Sequence, residues 1–390
     1  MKHNWEYKRL GDVCKIVNGF AFKSELFKDS GMPILRIANI QNDTITTDAL
    51  VFCNPSDYKT DLSKFLVKSD DLVMALSGAT TGKIGINKTN IEFYLNQRVA
   101  LFKDILISRR YLFYFLKTEG KNILESAFGV AQPNVSTSKL TELYIPVPTQ
   151  NVQEQIVAEL DKINETIEDC RELLRNLDAL AQSLFNDYFG DPAINPKGWR
   201  IYKIKDICSV NPTKREIRIP TSSEISFLPM EDLPINARYF TPIKVKTLNE
   251  VQNSYTYFSG EDVLFAKVTP CFENGKAGIP VNLINNIGFG SSELFVLRPN
   301  FQIINREYIY SFIQTNHFVS EAIKKLSGTS GLRRVPRTVV ENFQIPVPPL
   351  ELQEKFAARM EEIEAQKKIV ESTIAELQTL LDSRMDYWFN

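Results

Sequence analysis

One motif occurs twice in this chain and constrains its fold more than any other feature. IPVP at residues 145–148 is followed by a Gln-Glu pair at 153–154, and IPVP at 345–348 by the same pair at 353–354. Weaker matches lie upstream of each motif: YKRLGDVC with IYKIKDIC, SDDLVMAL with GEDVLFAK, GKIGI with GKAGIP, and YLFYFL with YIYSFI. A repeat with a period near 200 residues indicates an internal duplication, so two similar halves are predicted.

Each IPVP motif is followed by an acidic segment with coiled-coil spacing. In the first segment, apolar residues recur at alternating intervals of four and three, with Cys170 and Ala181 completing the series. The interface positions predicted from this stripe are Ile156, Leu160, Ile163, Ile167, Leu174, Leu177 and Leu184. The second segment has Phe356, Met360, Ile363, Val370, Ile374, Leu377 and Leu381 at equivalent positions. Lys367 and Arg384 interrupt this second stripe. Two helices of about 40 residues are predicted, each roughly 60 Å long, packed together as an antiparallel coiled coil.

The remaining sequence forms two lobes of mixed character. Short apolar or alternating runs bounded by Gly, Asn, Asp and Pro predict strands, and one segment in each lobe has helical apolar spacing. The predicted order is a lobe at 1–148, a helix at 149–190, a lobe at 198–348 and a helix at 349–390. The predicted fold class is therefore α+β, with two pseudo-symmetric lobes joined by two long antiparallel coiled-coil helices.

Charge is distributed unevenly between lobes and helices. The whole chain has a net charge of −1, but residues 1–148 carry +4 and residues 198–348 carry +5. The segments 149–197 and 349–390 carry −6 and −4. A polyanion is therefore expected to contact the lobes and to avoid the helices. Neither a signal peptide nor an apolar run long enough to span a membrane is present, so a cytoplasmic location is expected.

The sequence predicts no catalytic residue and no metal site. Its five cysteines are scattered without a CxxC pair, and its two histidines, His3 and His317, are far apart. The segment SGATTGKIGI from Ser77 differs from a phosphate-binding loop because Ile84 stands where Ser or Thr would hold magnesium. No glycine-rich cofactor loop follows a predicted strand.

Two loops ahead of the IPVP motifs carry side chains that suit DNA. The first offers Gln132 and Asn134, whose amides can pair bidentately with adenine, and the second offers Arg333, Arg334 and Arg337, which suit guanine or phosphate. A second candidate set contains Arg36, Asn39, Thr80, Thr81 and Lys83 in the first lobe and Lys267, Thr269 and Lys276 in the second. Ordinary solvated loops have a similar composition and remain the alternative.

This organisation resembles the DNA specificity subunit of type I restriction-modification systems. The resemblance covers essentially the whole chain and rests on IPVPTQNVQEQI and IPVPPLELQEKF, on the openings YKRLGDVCKIVNG and IYKIKDICSV, and on PILRIANI and SGATTGKIGI. It implies that the lobes are target-recognition domains, that the helices are spacers, and that the chain has no catalysis of its own.

The resemblance also implies partners. These are double-stranded DNA with a bipartite site, two methyltransferase subunits that use S-adenosylmethionine to methylate adenine, and restriction subunits that use ATP and magnesium. A rod of roughly 60 Å corresponds to at most about 17 base pairs. Because the net charge is low, we expect weak DNA binding by the isolated chain. The lobes differ, with GVAQPN in one and GTSGLRR in the other, so their half-sites should differ.

Two other interpretations stay open at this point. A coiled-coil scaffold whose lobes bind proteins would show no sequence-specific DNA contact. A fused or nuclease-associated enzyme would need a cofactor loop or a carboxylate cluster, and the sequence offers neither.

Overall fold

A computed structural model describes residues 5–126, 135–235, 237–328 and 332–390. The chain forms two compact units, one made of Met1–Cys170 with Thr373–Asn390 and the other of Arg171–Ser372. Each unit therefore contains one lobe, part of the first long helix and part of the second.

In the part of the first lobe that the structure describes, three sheets combine with three α-helices. Its strands are β1 (Glu6–Arg9), β2 (Lys15–Asn18), β3 (Met32–Leu35), β4 (Ile40–Gln41), β5 (Thr44–Ile45), β6 (Val51–Cys53), β7 (Leu66–Val67), β8 (Leu72–Ala75), β9 (Ile84–Ile86), β10 (Phe93–Leu95), β11 (Val99–Lys103) and β12 (Tyr144–Val147). Its helices are α1 (Leu10–Val13), α2 (Arg109–Ser126) and α3 (Thr137–Thr141). The sheet orders are β2-β11-β8-β9-β5-β4, β6-β3-β10-β7 and β1-β12. The first long helix, α4 (Gln150–Phe189), follows.

The second lobe repeats this plan. Its strands are β13 (Arg200–Lys203), β14 (Cys208–Val210), β15 (Glu224–Leu228), β16 (Tyr239–Phe240), β17 (Lys244–Thr247), β18 (Thr256–Phe258), β19 (Val263–Ala266), β20 (Ala277–Pro280), β21 (Gly288–Gly290), β22 (Leu294–Pro299) and β23 (Gln344–Val347). Its helices are α5 (Ile204–Ile207), α6 (Leu248–Val251), α7 (Arg306–Ile313), α8 (Asn316–Ile323) and α9 (Arg337–Glu341). The second long helix is α10 (Leu350–Phe389).

The sheet orders of the two lobes correspond, except that the largest sheet has six strands in the first lobe and five in the second. The second lobe has β14-β22-β19-β20-β16, β17-β15-β21-β18 and β13-β23. The parallel pair β3·β10 of the first lobe has its counterpart in the parallel pair β15·β21. The duplication inferred from the sequence is thus a duplication of topology.

A two-stranded ribbon joins the start of each lobe to its IPVP motif. Tyr7 is paired with Pro146 in β1·β12, and Ile201 with Pro346 in β13·β23. Proline lacks an N–H and is tolerated here because each ribbon has only two strands, so one side of every strand is an edge. A buried tyrosine, Tyr111 or Tyr308 (0% exposed), donates its hydroxyl to the carbonyl of Pro146 or Pro346.

The repeated glutamine explains why the motif continues past IPVP. The amide nitrogens of Gln153 and Gln353 donate to the carbonyl oxygen of the last IPVP proline at 2.9 and 2.8 Å. Their amide oxygens accept from the backbone N–H groups of Ser108 and Asn305, at 2.9 and 2.8 Å, just ahead of α2 and α7. Gln353 also donates to the carbonyl of Ile303 at 3.1 Å. Each glutamine therefore ties a lobe helix to the start of a long helix.

The long helices pack together and run antiparallel, as the fold-class prediction stated. In one unit Glu159 of α4 accepts hydrogen bonds from Arg384 and from the Trp388 indole, the latter at 3.0 Å. In the other unit Asp178 of α4 lies 2.8 Å from the Lys367 amine. Residue numbers rise along α4 while their partners' numbers fall along α10. All fourteen apolar positions of the two predicted stripes are buried or half-buried.

Candidate nucleic-acid interface

Three loops of the second lobe meet at the end of β19. The Val335 N–H donates to the Lys267 carbonyl at 2.8 Å, and the Lys267 N–H donates to the Glu293 carbonyl at 2.9 Å. Arg334 donates to Glu293 through two nitrogens, at 2.8 and 3.0 Å. The Lys267 amine lies 3.9 Å from the same carboxylate. Two of the predicted sets, the arginine loop and the Lys267 set, are therefore neighbours in space.

This cluster is charged and partly open to solvent. The Arg334 hydrogen bond lowers the pKa of Glu293, with Lys267 adding to the effect, and the same bond raises the pKa of Arg334. The Arg334 side chain is 41% exposed, and the Glu293 side chain is 28% exposed. Because Nε and one Nη of Arg334 bond Glu293, the remaining Nη–H groups are the donors that guanine or phosphate can accept from, and the carboxylate can accept from a cytosine amine.

Thr269 holds the arginine loop in place. Its backbone N–H donates to the Arg333 carbonyl at 2.9 Å, and its hydroxyl accepts from the Arg333 N–H at 3.0 Å. The threonine is 9% exposed, whereas the Arg333 side chain is 48% exposed and lies 4.0 Å from Glu273. Thr269 therefore positions the loop, and Arg333 projects from it.

Lys276 and Arg337 are anchored to the second lobe's own backbone. The Lys276 amine donates to the carbonyls of Met230 and Glu231, at 2.9 and 3.2 Å. Arg337 pairs with Glu341 at 2.7 Å and donates to a carbonyl of β14 at 2.9 Å. Arg337 remains exposed, whereas Lys276 is half-buried.

The first lobe joins its loops through the same backbone contacts. The Val135 N–H donates to the Leu76 carbonyl at 2.9 Å, and the Leu76 N–H donates to the Arg98 carbonyl at 2.8 Å. Arg98 therefore occupies the place of Glu293. Gln132 and Asn134 lie outside the described residues.

The PILRIANI segment uses its polar side chains within the lobe. Asn39 is 1% exposed, and its amide accepts from the Arg36 N–H at 3.2 Å and donates to the Asp48 carbonyl at 3.0 Å. The Arg36 guanidinium donates to the Ala49 carbonyl at 3.0 Å and is half-buried.

The SGATTGKIGI segment is a tight turn between β8 and β9. Gly82 has a φ of +83°, and a Cβ there would come within 2.3 Å of the Gly120 carbonyl oxygen of α2. Thr81 is 1% exposed and donates to the Gly78 carbonyl at 2.7 Å. Thr80 is half-buried, and Lys83 is the exposed member of the set.

A cleft of about 450 Å³ lies beside these loops in the first lobe. It is lined by Phe22, Ser24, Arg36, Ile37, Ala38, Asn96, Gln97 and Arg98. Gln97 and Arg98 are exposed, and neither was among the residues predicted from the sequence. The signal that identifies them is the polar NQR interruption between the apolar strands β10 and β11. A second missed feature is the exposed basic stretch with Lys214, Arg215 and Arg218.

Neither a metal-binding cluster of side chains nor a membrane-spanning helix occurs within the described ranges. There, no group of three or more His, Cys, Asp or Glu side chains is placed to hold a metal ion. No helix in those ranges combines the length and apolarity needed to cross a bilayer.

Two homologous α+β lobes with polar cationic loops, joined by paired helices, define a duplicated recognition module. Residues 2–176 and 196–379 match the family model described as type I restriction modification DNA specificity domain. Because these residues make up most of the chain, it belongs to the family of type I restriction-modification specificity subunits. This match confirms the family resemblance inferred from the sequence. Members of this family are non-catalytic subunits.

Similar proteins come from bacteria and archaea. The chain is 37% identical over 168 residues to the type I restriction enzyme EcoAI specificity subunit of Escherichia coli, covering 43% of this chain and 28% of that one. It is 31% identical over 191 residues to the MjaVIII specificity subunit of Methanocaldococcus jannaschii, covering 47% and 45%. The chain thus matches less than half the length of these relatives. The MjaIX subunit of the same archaeon is 23% identical over 386 residues, covering 90% and 85%.

Two solved structures share the fold over nearly the whole chain. One, described as the structural basis of complex assembly and conformational transition of the type I R-M system, has a TM-score of 0.61 at 17% identity, covering 98% of this chain and 96% of that one. The S subunit of the type I system of M. genitalium has a TM-score of 0.52 at 14% identity, covering 99% and 96%. At these identities the likeness establishes the fold.

Proposed function

We propose that each lobe reads one half of a bipartite site in double-stranded DNA through the major groove. The observation that carries this proposal is the meeting of Lys267, Glu293 and Arg334 in a solvent-accessible cluster, matched in the first lobe by the loop bearing Gln97 and Arg98. Guanidinium and amide groups are the side chains that read base edges bidentately. The protein's chemistry at these loops thus fits base recognition.

The two half-sites differ because equivalent positions carry opposite chemistry. Arg98 donates hydrogen bonds, whereas Glu293 at the corresponding place accepts them. A donor fork favours guanine, and an acceptor favours the amine of cytosine or adenine. The buried Asn39, Thr81 and Thr269 are assigned to shaping the loops, and Lys83, Arg333 and Arg337 to contacts with DNA.

The long helices are proposed to set the spacer and to dock the methyltransferase subunits. Their segments are acidic, which disfavours contact with phosphates. Leu173 and Leu180 on α4 are each 46% exposed and seven residues apart, and Leu380 and Tyr387 on α10, 45% and 40% exposed, have the same spacing. Apolar side chains recurring at this interval suit the apolar face of a partner helix.

The partner subunits complete the activity in this proposal. Two methyltransferase subunits would use S-adenosylmethionine, and restriction subunits would use ATP and magnesium. The structural neighbour described in terms of complex assembly of a type I system supports such an association. Because the proposed complex acts on the DNA of the host cell, its proposed location is the cytoplasm.

The experiment is single-molecule sequencing of methylated adenines in the host genome, with the gene intact and deleted. Loss of methylation at one bipartite motif is expected. If every motif keeps its methylation, the coiled-coil scaffold without sequence-specific DNA binding is favoured instead.

Point variants then assign the lobes to half-sites. Arg334→Ala should reduce methylation of the motif on the order of tenfold to a hundredfold and relax one half-site only. Arg98→Ala should act on the other half-site. Lys325→Ala, an exposed lysine of the second lobe, is the matched control and should change neither. Equal relaxation of both half-sites by Arg334→Ala would contradict the assignment.

A further inference from the structure

The two halves of the chain are similar, but the stripes of their long helices are not. At the positions where α10 carries Lys367 and Arg384, α4 carries Ile167 and Leu184, each 200 residues earlier. Every other position of the predicted α10 stripe is apolar. The difference is therefore confined to two cations on one helix.

Lys367 is buried against carboxylates. Its side chain is 10% exposed, and its amine lies 2.8 Å from Asp178 on α4 and 3.5 Å from Glu364 on its own helix. Burial alone would lower the pKa of this amine, but the two carboxylates raise it. A buried ammonium ion needs such partners, since desolvation without them is costly.

Arg384 has a similar arrangement toward the other end of α10. It donates to both carboxylate oxygens of Glu159, and the Trp388 indole donates to the same carboxylate. This hydrogen bonding lowers the pKa of Glu159, the Arg384 bond being the largest cause. Each of the two cations thus faces an acid that belongs to α4.

Because the helices arise from a duplication, each could also pair with its own equivalent from a second copy. In the register observed between α4 and α10, a pair of two α4 helices would place Glu159 against Leu184 and Asp178 against Ile167. Both carboxylates would then lose their cations and face apolar side chains.

A pair of two α10 helices would also lose both of the observed ion pairs between helices. Arg384 would face Arg359, and Lys367 would face Gln378, at the positions where α4 supplies Glu159 and Asp178. Like charges then oppose each other, and the buried ammonium loses its closest carboxylate. Both same-half pairings are therefore disfavoured by the residues that stabilise the observed pairing.

We propose that the pairs Lys367–Asp178 and Arg384–Glu159 act as a charge code that selects the partner helix. The partner that fits α10 is a helix with carboxylates at the positions of Asp178 and Glu159, and a second copy of α10 is rejected. This selectivity holds irrespective of what the lobes bind. It also determines which half of another specificity subunit could replace a half of this one.

The test uses the full chain cut after folding. A protease recognition site is inserted between Ala193 and Ile194, both exposed in the loop after α4. The cut protein is combined with an isotope-labelled copy and warmed to permit exchange. Native mass spectrometry then counts two kinds of pair. Mixed pairs contain one fragment 1–193 and one fragment 194–390, and same-half pairs contain two copies of one fragment. Mixed pairs should exceed same-half pairs by at least about tenfold. Parity between the two kinds of pair in the unmodified helices would overturn the proposal.

Variants separate the charge code from general stability. Lys367→Ile with Arg384→Leu gives α10 the residues of α4, and the excess should fall toward random pairing. Lys355→Ile with Lys368→Leu makes matched changes at exposed positions of α10 and should keep the excess. An unchanged excess in the first double variant would refute the proposal.

A charge exchange provides the rescue. Lys367→Glu alone faces Asp178 with a like charge and should reduce the preference, of which the Arg384–Glu159 pair keeps a part. Adding Asp178→Lys restores opposite charges and should recover mixed pairing. Failure of this recovery in a folded double variant would equally count against the charge code.

Discussion

Replacing Gln353 by methionine tests whether the repeated glutamine holds the second lobe to its long helix. The glutamine side chain is 0% exposed and makes three hydrogen bonds, to the carbonyls of Pro348 and Ile303 and from the N–H of Asn305. Methionine has a similar length and no amide. The variant therefore removes these bonds while keeping the volume filled.

The cost is dominated by the backbone groups left without partners. A buried N–H without an acceptor costs about 1–3 kcal/mol, and each carbonyl that loses one bond adds about 0.5–1.5 kcal/mol. The apolar thioether offsets about 1 kcal/mol of this total because no amide has to be desolvated. A net loss of about 1–5 kcal/mol in the free energy of unfolding is expected for Gln353→Met.

The equivalent change in the first lobe should cost less. Gln153 makes two of the three bonds, so Gln153→Met should lose about 0.5–3.5 kcal/mol. Gln366→Met, at an exposed position of α10, is the control and should stay within about 0.5 kcal/mol. Urea denaturation followed by far-ultraviolet circular dichroism provides the measurement. A loss below about 0.5 kcal/mol for Gln353→Met would refute the proposed role of this hydrogen-bond network.

Two further predictions follow from ionisation. The folded pKa of Glu159 lies below its ordinary value of 4.5, so its stabilisation is complete above that pH and is lost as the pH falls through the folded pKa. Glu159→Gln should therefore cost about 1 kcal/mol at pH 7, and urea denaturation should show this difference vanishing in acid. Burial raises the pKa of Cys14 and Cys208 to about 12, so Cys170 and Cys271 should react first with a thiol reagent. Rapid modification of Cys14 or Cys208 in the folded protein, detected by mass spectrometry, would contradict their burial.

The repeat and the helices could be predicted from the sequence because both leave local, periodic signals. IPVP and its glutamine recur at a constant offset, and the stripe through Ile156 and Leu160 repeats every seven residues. Burial of such a stripe requires a partner, and the second helix supplied the matching one. The two long helices and their antiparallel pairing follow from these signals.

The interface loops were harder to predict because their neighbours are distant along the chain. Glu293 lies 41 residues from Arg334 along the chain. The pairing of β19 with β22, and the hydrogen bond between the loop after β19 and the arginine loop, bring the two residues together. The sequence also does not distinguish a polar side chain that faces solvent from one that closes a turn. Asn39 and Thr81 have the composition of a binding loop, but both are 1% exposed and bonded to the backbone.

The division of the chain into two units has a consequence for folding during synthesis. The second unit is continuous, but the first needs residues Thr373–Asn390 to complete it. At about 5–20 residues per second, the ribosome takes on the order of 10–40 s to pass from Cys170 to that segment. During this interval Ile156 and Leu160 lack the α10 residues Leu381 and Met385, which share their core. The lobe that is made first is thus the last to be completed. Until then, the apolar stripe of α4 is exposed, and chaperone binding to it competes with its association with other chains.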